Sequence, residues 1–91
     1  MALAVHELVL ATNPKLEAKT WYGMPAYALD GQVVCFFQAA LKYKTRYATL
    51  GFREAAKLDE EPIWPTSFAL TKMTDEVSAA ITELVRRATG L

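Results

Sequence analysis

His6 and Cys35 are the single histidine and the single cysteine of a 91-residue chain. Nucleophilic triads and histidine-rich metal sites therefore lack their usual centre. A Cys–His dyad would need an accessible thiolate, yet Cys35 stands between Val34 and Phe36, where an apolar setting raises a thiol pKa. Cys35 reads as a buried packing residue and His6 as a surface residue of a helix. Hard cations take oxygen ligands, and the acidic runs Asp59-Glu60-Glu61 and Asp75-Glu76 are the candidates, but neither has the spacing of a calcium loop. The first run reads as a solvated connection and the second as a helix start favoured by the helix dipole. Gly23 and Gly51 belong to no phosphate-binding loop. These residues supply no catalytic group, no metal site and no cofactor.

Two groups remain that could bind. No acid occurs from Gly31 to Arg53, while Lys42, Lys44, Arg46 and Arg53 fall there, interleaved with Tyr43 and Tyr47. On a strand Lys44 and Arg46 would point to one side, opposite the tyrosines, so the pair suits one carboxylate or phosphate of a partner or small ligand. A stacking platform for nucleic acid wants aromatic and basic groups together. The second group is Trp21, Tyr22 and Met24, set around Gly23 and Pro25. They either line a small apolar pocket or plug the corner where a helix meets the sheet, and the plug is the favoured reading.

The elements that position these residues follow from periodicity. Val5, Leu8, Val9 and Thr12 predict an amphipathic helix over about residues 2–12. Asn13 as N-cap and Pro14 at the first helical position predict a second short helix toward Thr20. All ten aromatics lie between Trp21 and Phe68, which marks the sheet. Strands are expected at Ala26 to Leu29 and Gln32 to Ala40, joined by the hairpin signal Asp30-Gly31. In the second of these, Val33, Cys35 and Phe37 would face one way and Val34 and Phe36 the other. A third strand is expected from Tyr43 to Leu50, an irregular or helical piece from Gly51 to Leu58, and a fourth strand from Trp64 to Thr71. Val77, Ala80, Ile81, Leu84, Val85 and Ala88 define a closing helix, with Thr74 as N-cap and Gly90 as stop. The result is an α+β two-layer domain: an antiparallel sheet of about four strands with the N- and C-terminal helices on one face.

The hexapeptide Tyr22-Gly23-Met24-Pro25-Ala26-Tyr27, followed by a hairpin and the aromatic strand Val33 to Gln38, resembles the YdhG-like family of domains of unknown function. The likeness extends over most of the chain, from the helix before the motif to the closing helix. Some members of that family are described as frataxin-like iron chaperones, so the resemblance implies a small cytosolic domain in metal handling or an adaptor role, without catalytic residues.

Composition sets the outer bounds. Hydrophobic residues make up 53% and charged ones 22%, values of a globular chain, and the length fits a single domain over residues 1–91. Ten basic and ten acidic residues leave zero net charge, which argues against nucleic acid or anionic lipid as the main partner. The apolar runs Met1 to Val5 and Val33 to Phe37 fall far short of the ~18 residues that cross a bilayer. The first fourteen residues carry no Lys or Arg, unlike a secretory signal, and a lone cysteine suits a reducing cytoplasm. The expectation is a cytoplasmic, non-enzymatic binding or interaction domain, monomeric or homodimeric, meeting a protein or a small anionic ligand; the alternative is an iron-delivery protein.

Overall fold

Thr74 caps the closing helix as its chemistry demands: its hydroxyl accepts from the Val77 amide at 3.2 Å. Asp75 and Glu76 occupy the first turn and Arg86 and Arg87 the last, each matching the dipole end it sits on. In the computed structural model, which describes residues 1–91, this helix, α3, spans Asp75–Ala88. It buries Ile81, Val85 and Ala88 against the sheet and against the first helix, α1 (Ala2–Thr12), which contributes Val5 and Val9. None of the helices is long and apolar enough to cross a membrane.

Five strands, not four, form one antiparallel meander in the order β1-β2-β3-β4-β5: Glu17–Trp21, Met24–Leu29, Gln32–Gln38, Ala48–Phe52 and Ser67–Leu70. The additional strand is β1, which replaces the second helix expected after Asn13. Asn13 does accept the Lys15 amide on its side chain at 3.0 Å, but Leu16 is the one large apolar residue of this segment. Without a stripe to bury, a helix here has no tertiary support, and the segment pairs with β2 instead. The strand expected from Tyr43 to Leu50 is also revised. Ala40–Tyr43 forms a single helical turn, α2, which ends with Lys44 in the left-handed region at φ 54; the Thr45 amide then donates to the Ala40 carbonyl at 3.0 Å. An alanine and a leucine at its start favour that turn, and β4 starts only at Ala48.

The sheet has two unlike faces. Toward α1 and α3 it presents Tyr27, Cys35, Phe37, Leu50, Phe52 and Leu70, all in one hydrophobic cluster with the helices. Tyr27 pairs with Cys35 while Ala28 pairs with Val33, so Val34 is the extra residue of a β-bulge. The bulge turns Val34 into the core beside Cys35 and leaves Val33 and Phe36 on the opposite face. That corrects the simple alternation expected of this strand. On the opposite face the Phe36 ring lies over Gly51, where a Cβ would stand 2.3 Å from the tip of the ring.

Gly51→Ala should therefore cost about 1–3 kcal/mol, since the ring must leave its seat. Urea denaturation checks this: the same substitution in a Phe36→Leu background should cost clearly less, and equal costs in both backgrounds would break the link between the two residues.

Candidate functional site

Trp21 to Met24 is a hairpin turn between β1 and β2, so the helix-to-sheet corner expected there does not exist. Tyr22 takes φ 51 and Gly23 φ 76, the pair of positive values that a two-residue turn of this hand requires. Glycine adopts it freely; tyrosine does so at a cost of roughly 1–2 kcal/mol. Nor is Tyr22 a plug, because it is 81% exposed at the tip. Trp21 packs edge-on to it at 4.7 Å between ring centroids and contacts Phe36 at 5.3 Å. The Arg53 guanidinium lies over the Trp21 ring at 5.1 Å. Met24 faces Trp21 across the turn in the β1–β2 register and is half-buried. From β3's far end, α2 braces the tip: Lys42 donates to the Gly23 carbonyl and the Tyr43 hydroxyl to the Tyr22 carbonyl at 3.4 Å.

Trp21, Tyr22, Phe36 and Arg53 thus form one patch on the helix-free side of the sheet. Sequence pattern counts Arg53 only with the basic segment and Phe36 only with its strand, because the two lie far from the hairpin along the chain. Their detectable signal was Gly51, a glycine in mid-strand that marks a close approach.

Lys44 and Arg46 do not share a strand. Lys44 is the left-handed cap of α2, whereas Arg46 sits in the following loop with its guanidinium 5.2 Å from the Tyr47 ring centroid. Two ion pairs occur, Arg86–Glu83 and Arg87–Glu60, so Lys42, Lys44, Arg46 and Arg53 all stay without a carboxylate partner. Glu60 turns away from the basic segment toward α3.

The potential nucleophile and metal ligands are dispersed. Cys35 is fully buried, and burial pushes its thiol up to about 12, which keeps it neutral and inert. His6 is half-buried, and its Nδ1 pairs at 3.0 Å with the hydroxyl of Tyr27, itself 1% exposed. The histidine thereby satisfies a core phenol rather than standing free on the surface as expected. No three His, Cys, Asp or Glu side chains converge on a point where a metal ion would sit. Comparisons with protein-family models, curated proteins and solved structures give no match.

The Cys35 shift has a direction that can be measured. Its folded pKa lies above the ordinary 9.0, so its contribution to stability is complete below pH 9 and fades as pH rises toward 12. Near pH 10.5 the loss is about 2 kcal/mol relative to pH 7, at ~1.4 kcal/mol per unit. Tyr27, also raised to about 12 by burial and by the neighbouring Cys35, adds a smaller loss of the same sign. Urea melts at both pH values should show a drop in Cys35→Ala that is smaller than in the parent by about this amount.

Proposed function

We propose that this chain is a non-enzymatic protein-interaction domain, YdhG-like and cytoplasmic, whose contact surface is the β1–β2 hairpin tip and the helix-free sheet face beside it. The observation that carries the reading is Tyr22, a bulky residue held at positive φ and left 81% exposed. Strain of that kind persists where another demand outweighs it. Asparagine or glycine would make the same turn without the cost.

The neighbours fit the role. Tyrosine, tryptophan and arginine are the residue types that dominate binding energy at protein interfaces. Here the tryptophan touches both of the others in a single patch. Arg53 lacks a carboxylate partner of its own, so it is open to an acidic group on the surface that docks. Nucleic acid fits less well: Arg53 does stand over the Trp21 ring as a stacking platform would have it, but ten acidic residues balance the ten basic ones and leave no net charge to hold a phosphate backbone. Iron delivery would need converging carboxylates, and the acidic residues are spread over separate elements.

The test is a paired capture. Tyr22→Asn with Arg53→Glu should keep the fold, since relief of the turn strain offsets the lost ring contact to within about 1 kcal/mol. Quantitative mass spectrometry should find a protein retained by the parent and depleted at least tenfold on the variant. Purified, that protein should bind the parent directly, and oligothymidylate should not. Identical recovery on both baits would rule out the hairpin as the contact surface.

A further inference from the structure

A concavity lies on the helix face of the sheet, between the start of α1 and the ends of β3, β4 and β5. It has a volume of about 390 Å³. Its floor is the hydrophobic core itself: Phe37, Ala48 and Leu70 are 2%, 3% and 7% exposed. Leu41 of α2, Tyr47 and Arg46 also line it. Leu41 is 93% exposed, an extreme value for a leucine that shares a concavity with core residues. Arg46 is the one charged side chain in the lining, where Met1 also brings its α-amino group, and neither makes an ion pair.

We propose that this cavity binds a small amphipathic monoanion, a free medium-chain carboxylic acid, with its hydrocarbon on the Phe37–Ala48–Leu70 floor and its carboxylate on Arg46. The size falls within the range of small-molecule pockets, about 300–1,000 Å³. An apolar floor with an unpaired cation at its side selects for a ligand of the same polarity, since a neutral alkane leaves Arg46 unanswered. Arg46 is held for this purpose by its own loop. The Thr45 hydroxyl donates to the Tyr47 carbonyl at 2.8 Å, and the Tyr47 ring supports the guanidinium, so little freedom is lost when a bidentate contact forms. Lys44, two residues earlier, takes no part.

The site is independent of the hairpin surface, and the experiment uses octanoate as probe, followed by two-dimensional NMR of the intact chain. Octanoate should shift the resonances of Phe37, Ala48 and Leu70 in a saturable way, with a dissociation constant below the millimolar range, and should leave Tyr22 and Phe36 unchanged. Octanol should bind at least tenfold more weakly. Arg46→Gln should lower octanoate affinity by at least tenfold without changing octanol affinity, a split that a merely structural role of the arginine would not produce. Ala39→Leu, which fills the cavity from its side, should reduce both. Absence of saturable shifts up to the solubility of octanoate, equal affinity for octanol, or an Arg46→Gln variant that binds as the parent does would each overturn the proposal.

Discussion

Two helices of ordinary length cannot enclose a five-stranded sheet, and the rest of the molecule depends on that shortfall. Both helices lie on the same face, where they share a single hydrophobic cluster with Tyr27, Cys35, Phe37, Leu50 and Phe52. The other face has no layer above it. It is closed by its own side chains: the tip of the Phe36 ring stands over Gly51. Trp21 extends that cover from β1 and Arg53 extends it from the end of β4. The outcome is a face that is partly apolar and partly cationic.

The same shortfall acts along the strands. Beside the start of α1, the core floor at Phe37, Ala48 and Leu70 is left beneath a concavity instead of a third helix. The one-turn helix α2 is too short to cover it and directs Leu41 outward. Its other side chains are used elsewhere, with Lys42 and Tyr43 holding the carbonyls of the β1–β2 turn. A strained tyrosine turn is thus braced from a neighbouring element while Tyr22 stays in solvent.

What the sequence disclosed about this fold follows a physical rule. α3 was legible to its caps because its apolar stripe, its N-cap hydroxyl and its end charges agree, and the Asp30-Gly31 turn because both residues tolerate positive φ at little cost. The Tyr22-Gly23 turn was hidden because tyrosine does not tolerate it, so the rule that identifies such turns passed over the site where it is broken. β1 was hidden with it, as an edge strand of mixed polarity pairs through its backbone rather than through a pattern of side chains. The Val34 bulge then moved Val34 into the core and Val33 out of it, against strict alternation, and the loop after α2 separated Lys44 from Arg46. Of the residues that sequence pattern singles out, Trp21, Tyr22 and Met24 do meet at one place, the turn. Lys44 and Arg46 do not act as a pair.

One sheet face is sealed by helices and the other by side chains alone. Hydroxyl-radical footprinting of the dilute protein, read by mass spectrometry at individual aromatic residues, tests that difference most directly. Tyr22 should be oxidised fastest, Trp21 and Phe36 at intermediate rates, and Tyr27 and Phe37 at least tenfold more slowly than Tyr22. Equal protection of Phe36 and Phe37 would mean that the second face is covered too, and would contradict a sheet sealed by helices on one side only.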